Sequence, residues 1–186
     1  MRWDGLFGDL DAQWHAASQE DLEREINERA RVEAALVSIA DALRGALGGE
    51  IAALMRNGVV HHGVVARVED QWILLRESRR SLILPLAKIV KVQGLGPARA
   101  QQQGRIRYTL SSALRILARN RAEVVVELDS PQTAAVRGVV DQVGADFVVL
   151  TQLADGVGRG RANQQGGIIV PFTAVIAVMS SGENEF

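Results

Sequence analysis

Short apolar runs separated by polar pairs fill the stretch from Asn57 to Val92. The first turn signal is the pair Asn57-Gly58, which is typical of a hairpin between two strands. β-Branched and aliphatic runs of this length predict strands of a small, tightly bent antiparallel sheet. Gly63 lies inside one run, where a glycine indicates a bend or a bulge, and Pro85 ends another.

The second half of the chain repeats this pattern. Three segments return: residues 63–68 at 138–143, residues 72–75 at 147–150, and residues 83–86 at 169–172. The first two return at an offset of 75 and the third at an offset of 86, so the second copy carries 11 extra residues in one loop. A repeat of this kind predicts two copies of one structural unit.

Helical periodicity precedes each copy. A short amphipathic helix is predicted in residues 1–17, and a longer one over residues 19–47 that Gly48-Gly49 ends. The longer helix exceeds what one small β unit needs, so its first half either projects as an interaction arm or folds back on the second copy. A third helix is predicted over residues 106–120, after a polar linker at 98–105, with an apolar face of Leu110, Leu114 and Leu117.

The segment from Ile51 to Val92 resembles the Sm-like and Hfq-like small barrels. The residues that carry the resemblance are Asn57-Gly58, Gly63, the acidic turn Glu69-Asp70, and Leu74-Leu75. It implies a mainly β fold with helices: two tandem Sm-like five-stranded barrels, each preceded by a helix, plus an N-terminal helical arm. The expected boundaries are an arm and first cap at 1–47, a first barrel at 48–93, a basic linker and helix at 94–121, a second barrel at 122–180, and a tail at 181–186.

The chain as a whole also resembles a family of GC-rich bacteria that is loosely labelled as transcriptional regulators. No helix-turn-helix pattern in the sequence supports that label. Patterns of this kind are more specific for a fold than for a function.

Composition narrows the class of protein. The 186 residues are 47% hydrophobic and include no cysteine, which excludes disulfides, thiolate zinc sites and a cysteine nucleophile. The N-terminus lacks the apolar run of a signal peptide, and no run approaches the length of a membrane span. A cytoplasmic protein without membrane contact is therefore predicted.

The charges are distributed unevenly. Residues 78–122 hold ten basic and no acidic side chains, whereas the flanking segments 1–77 and 123–186 carry net charges of −6 and −5. Such a block indicates a polyanionic partner. The alternative is that the block pairs internally with the two acidic flanks.

Candidate chemistry is sparse. His61 and His62 are neighbours on a predicted strand and point to opposite faces, so they do not chelate one metal ion together. The glycine-rich stretch 156–160 leads into a strand rather than a helix, which favours a flexible loop over a phosphate-binding loop. No enzyme signature and no cofactor site are predicted.

The resemblance transfers poorly to individual RNA-binding positions. Hfq-like barrels stack a base on an aromatic residue just after the acidic turn, where this chain has Gln71, with Trp72 one position later. Because a shift of one residue changes the face of a strand, Trp72 and its counterpart Phe147 are predicted in the core. The Lys-His pair that clamps uracil in bacterial relatives is replaced by the stretch 85–87.

The predicted function is a non-enzymatic regulator that binds nucleic acid, RNA more than DNA, through a basic surface. The alternative is a protein–protein adaptor or scaffold that binds proteins through its barrels and helical arm and binds no nucleic acid. The two copies are expected to pack together within each chain and so to satisfy one pair of strand edges. A small homo-oligomer is also expected, most simply a dimer in which the helical arm takes part. The candidate nucleic-acid contacts are Arg76, Arg79, Arg80, Lys88, Lys91, Arg105, Arg107, Arg115, Arg119, Arg121, Arg159 and Arg161.

Overall fold

A computed structural model describes residues 19, 22, 24–32, 34–100, 107–153 and 164–181. The chain divides into two compact units, Met1–Ser38 and Ile39–Phe186. In the first unit, residues 24–32 and 34–36 are helical, as predicted, but the long helix is interrupted at Val37 and Ser38. The helix predicted in residues 1–17, most of the polar linker and nearly all of the tail lie outside the described residues.

The second unit is built mainly from strands. Its helices are α1 (Ile39–Arg44) and α2 (Leu110–Arg119), and single 3₁₀ turns cover Leu86–Lys88 and Phe172–Ala174. No described helix is both long enough and apolar enough to cross a membrane. The ten strands are β1 (Glu50–Met55), β2 (Val60–Val68), β3 (Trp72–Glu77), β4 (Arg80–Pro85), β5 (Ile89–Gln93), β6 (Glu123–Leu128), β7 (Ala135–Val143), β8 (Phe147–Leu153), β9 (Gln164–Pro171) and β10 (Val175–Ser181).

All ten strands belong to one antiparallel sheet, in the order β5-β1-β2-β3-β4-β10-β6-β7-β8-β9. The prediction of two tandem Sm-like five-stranded barrels is therefore wrong, because the described strands form a single open sheet with β5 and β9 at its edges. The repeat itself is confirmed, since each half of the sheet follows the same internal order. Apolar periodicity specifies strands and their turns, but it does not specify which edges pair.

The two halves join where β4 pairs with β10. Val178 lies opposite Ile83, and Met179 lies opposite Leu82. β10 also pairs with β6 on its other side, so it is paired along both edges. The expectation that one strand edge of each copy is satisfied within the chain is confirmed by this pairing.

Glycine allows neighbouring strands to approach closely in each half. A Cβ atom placed on Gly63 would lie 2.8 Å from the carbonyl oxygen of Arg76, and one placed on Gly138 would lie 2.6 Å from that of Thr151. Real Cβ atoms do not approach backbone oxygens so closely. A bulge follows each glycine, in β2 and in β7, which agrees with the bend predicted at Gly63.

Two apolar cores form, and each contains residues from both halves. The first core combines α1 and strands β1–β5 with Ile176 and Ala177 of β10. The second core combines α2 and strands β6–β10 with Trp72, Leu74 and Ile83 of the first half. β3 and β4 therefore bury both faces, which explains why their sequences are continuously apolar instead of alternating. On α2, the predicted apolar face is confirmed as buried.

Trp72 occupies the second core, as predicted. It is 1% exposed, and its indole Nε1 donates a hydrogen bond to the carbonyl oxygen of Tyr108 at 2.8 Å. Its counterpart Phe147 is only half-buried and packs against Gly144, so its predicted place in the core is wrong. The difference arises because α2 and the second half cover Trp72, whereas nothing described covers the same face of β8 equally.

Polar contacts also cross between the halves. The Oε2 atom of Glu127 accepts a hydrogen bond from the Nδ2 atom of Asn57 at 3.1 Å and lies 3.2 Å from the Nε2 atom of His61. Lys88 donates from Nζ to the Oδ2 atom of Asp129 at 2.8 Å. That hydrogen bond, with the positive charge of Lys88, holds the pKa of the Asp129 carboxyl below its usual value of 3.8.

Replacing Trp72 with Ala should destabilise the protein far more than the same change at Phe147. Truncating a buried large aromatic residue costs about 3–5 kcal/mol, and the Trp72 change also removes the indole donor of the hydrogen bond to the carbonyl oxygen of Tyr108. Chemical denaturation of the two variants beside the parent measures both effects. Equal losses of stability would contradict the different burial of these two side chains.

Replacing Lys88 with Met should raise the pKa of Asp129 toward 3.8. Because the folded pKa is depressed, this ion pair stabilises the protein above pH 3.8, and the contribution is lost as pH falls through the lower folded value. Carbon-detected NMR titration of the Asp129 carboxyl measures the shift. Lys91→Met is the matched control, and an equal shift in that variant would assign the effect to general charge instead of to the hydrogen bond.

Candidate nucleic-acid interface

The hairpin between β3 and β4 presents three of the predicted cations. β3 ends at Glu77 and β4 begins at Arg80, so a two-residue loop joins them. Within it, Ser78 has a φ of 48°, in the left-handed region that lets a short loop reverse the chain. Arg76, Arg79 and Arg80 are all exposed. The tight loop therefore places three guanidinium groups at one end of the hairpin.

Arg79 and Arg80 also line a cleft of about 570 Å³ beside the junction of the two halves. β10 brings Met179 to this cleft, and β6 and β7 bring Val125 and Arg137. The cleft exists only because β4 pairs with β10. It combines an apolar surface with cations from two distant parts of the chain.

The charges in this junction cleft do not cancel. Arg137 donates from Nε to the Oε1 atom of Glu123 at 2.6 Å, which neutralises one cation. Arg79 and Arg80 form no ion pair with any residue in the part of the chain that the structure describes. Two positive charges therefore remain in excess, and they favour an anionic ligand.

Two other residues that were predicted to contact nucleic acid form ion pairs within the chain. Lys88 binds Asp129, and an NH1 nitrogen of Arg107 lies 2.9 Å from an Asp70 carboxylate oxygen. These pairs realise part of the alternative prediction, in which the basic block pairs with acidic residues of the same chain. The basic block is therefore divided between structural and exposed cations.

The remaining candidates lie on separate elements. Arg115 and Arg119 are exposed on α2, Arg121 follows that helix, and Lys91 is exposed on the edge strand β5. Arg115 donates a weak hydrogen bond to the carbonyl oxygen of Gly144 at 3.4 Å. Three further candidates lie outside the residues that the structure describes: Arg105, Arg159 and Arg161.

The acidic turn has a structural role. One Asp70 carboxylate oxygen accepts a hydrogen bond from Arg44 at 2.6 Å, which ties the turn to α1. Glu69 is 3% exposed and accepts hydrogen bonds from Arg67 at 2.8 Å and from the backbone N–H of Tyr108 at 3.3 Å. The turn therefore fastens the segments before β1 and before α2 to the first half. Because Trp72 is buried, its ring is not available to stack on a base.

The histidine pair lies on opposite faces of β2, as predicted. His61 is buried beside Glu127, and His62 is exposed. Among the described residues, no group of three or more His, Cys, Asp or Glu side chains is arranged to hold a metal ion.

Sequence reasoning missed Arg137, Glu123 and Met179 as parts of the cleft. No local pattern marks them, because they reach Arg79 and Arg80 only through the pairing of β4 with β10. A comparison of the copies gives no hint either, since Arg137 takes the position of His62 in the first copy.

Comparison with known proteins finds no relative of this chain. No protein-family model, no curated protein and no solved structure matches the chain. The resemblance to small-barrel proteins therefore stays a prediction, and the function rests on the residues described above.

Proposed function

We propose that this protein is a non-enzymatic, cytoplasmic regulator that binds nucleic acid, with single-stranded RNA as the expected ligand, in the junction cleft. The observation that carries the proposal is the pair Arg79 and Arg80, which line the cleft without an ion pair to any described residue. Arg76 lies beside them on the same hairpin and is exposed. Three guanidinium groups that form no ion pair with any described residue suit a ligand with repeated negative charges.

The chemistry of the cleft suits a phosphate backbone. Guanidinium groups bind phosphate oxygens with two parallel hydrogen bonds, and exposed arginines retain that capacity. Val125 and Met179 supply an apolar surface beside the cations, which accommodates a sugar or a base. Glu123 and Arg137 form an ion pair with each other, so the excess charge of the cleft is that of Arg79 and Arg80 on the β3–β4 hairpin.

RNA is proposed in preference to duplex DNA because of the helices. A helix that reads DNA enters the major groove with exposed side chains. Of the described helices in the second unit, α1 has six residues and α2 buries its apolar face in the second core. No pair of helices in that unit, as far as the structure describes it, has the arrangement of a DNA-reading motif.

A protein adaptor is the second candidate, and one observation favours it. The helical residues of the first unit leave large aliphatic side chains uncovered: Leu22 is 55% exposed, Ile26 63% and Leu36 79%. Exposed apolar stripes on a helix are typical of surfaces that bind another protein. This candidate uses a different part of the chain and does not exclude the first.

The triple substitution of Arg76, Arg79 and Arg80 with Gln should weaken RNA binding across sequences. Each lost phosphate contact lowers the slope of log K against log salt by about 0.7 for a single strand, so the slope should fall by about 2. Fluorescence anisotropy with labelled single-stranded RNA, over a salt series, measures both the affinity and the slope.

The matched control replaces Arg115, Arg119 and Arg121 with Gln. It removes the same number of positive charges but leaves the cleft intact, so its salt slope should change less. An equal loss in both variants would place binding outside the cleft. A parent protein that binds no RNA at about 50 mM salt would remove the proposal and leave the adaptor.

A further inference from the structure

The two free edges of the sheet repeat the two strands that join its halves. β5 occupies in the first half the place of β10 in the second, and β9 occupies in the second half the place of β4 in the first. Inside the chain, β10 and β4 pair with each other. One edge strand of the sheet is therefore the counterpart of β10, and the other edge strand is the counterpart of β4.

Exposed aliphatic side chains mark both free edges. Val90 of β5 is 61% exposed, whereas its counterpart Ile176 in β10 is 0% exposed. Ile169 of β9 is 65% exposed, whereas its counterpart Ile83 in β4 is 1% exposed. Each pair of counterparts consists of β-branched aliphatic residues, and among the described residues only the cover of the edge residue is absent.

The face next to the β9 edge shows the same difference. In the first half, Trp72 and Leu74 are buried beneath α2 and the second half. Their counterparts Phe147 and Val149 are half-buried. The second half therefore carries an apolar face that is only half-buried, next to a strand edge that no described strand pairs with.

We propose that a second copy of this chain covers this surface, by pairing its β5 with the β9 edge. The internal junction supplies the register. Transferring its pairs to the free edges places Val92 opposite Ile169, Gln93 opposite Ile168, and Gly94 opposite Gly167. The contact is antiparallel like the internal one, and it is independent of nucleic-acid binding.

The charges at the two edges permit this contact. Ala174 and Arg56 take the positions of the internal ion pair of Lys88 with Asp129 at the outer contact, so no like charges oppose each other at these two positions. Lys91 is the exception to the match, because it stands where Ala177 is fully buried in the internal junction. A lysine on an edge strand weakens strand pairing, so the outer contact is weaker than the inner one and depends on concentration.

The contact is heterologous, because it joins two different edges. Such contacts produce closed rings when the rotation between neighbours closes, and open filaments when it does not. A two-fold dimer, in which the same edge meets itself, is a different assembly. The heterologous assembly and the two-fold dimer predict different behaviour when a variant of the β5 edge is mixed with a variant of the β9 edge.

The test uses the full chain after nuclease treatment, in sedimentation velocity over a concentration series. The parent should form species larger than the monomer, and Val90→Glu and Ile169→Glu should each be monomers. Mixing these two variants should restore a one-to-one complex and nothing larger, because one retains an intact β9 edge and the other an intact β5 edge. Lys91→Ala, which reproduces the residue of the internal junction, should shift assembly to lower concentration.

Val64→Glu is the matched control. Val64 is 41% exposed, but β2 is paired on both sides within the chain, so this change should leave assembly unaltered. Thermal melting of every variant checks that the fold is kept, which is expected because each substituted side chain is exposed. A parent that stays monomeric at its highest soluble concentration would overturn the proposal, and so would a mixture of edge variants that stays monomeric.

Discussion

The pairing of β4 with β10 is the contact on which the rest of the structure depends. It turns two repeats into one ten-stranded sheet, and it moves Trp72, Leu74 and Ile83 of the first repeat into a core shared with the second. In return, β10 places Ile176 and Ala177 in the core of the first repeat. Neither core is complete within one repeat, so residues 39–186 form one structural unit.

Much of this architecture follows from the sequence. The repeat, the apolar face of α2 and the bulge after Gly63 are all visible in periodicity and in residue type. The open sheet is not, because the pairing of edges depends on which surfaces meet after the strands have formed. One signal does exist: β3 and β4 are apolar at consecutive positions, as strands buried on both faces are. β8 carries a similar run, yet Phe147 and Val149 are covered less well, so the run alone does not show what covers it.

The candidate site was partly predictable for the same reason. The basic block from residue 78 to residue 122 identifies Arg79 and Arg80 by charge alone. It does not distinguish them from Lys88, which forms an ion pair with Asp129 of the other repeat. It does not identify Arg137 either. Ion pairs and clefts between distant segments are properties of the junction. The junction therefore places Lys88 in an ion pair and brings Arg79 and Arg80 to a cleft in which they pair with no described residue.

Native-state hydrogen exchange tests most directly whether this junction makes one cooperative unit. Amides in the centre of each half, such as those of Ile73 in β3 and Val148 in β8, should open with one common free energy and one dependence on denaturant, as expected for a single foldon. Two separate opening free energies, each with its own denaturant dependence, would contradict the account, because the halves would then be independent domains that only touch at β4 and β10.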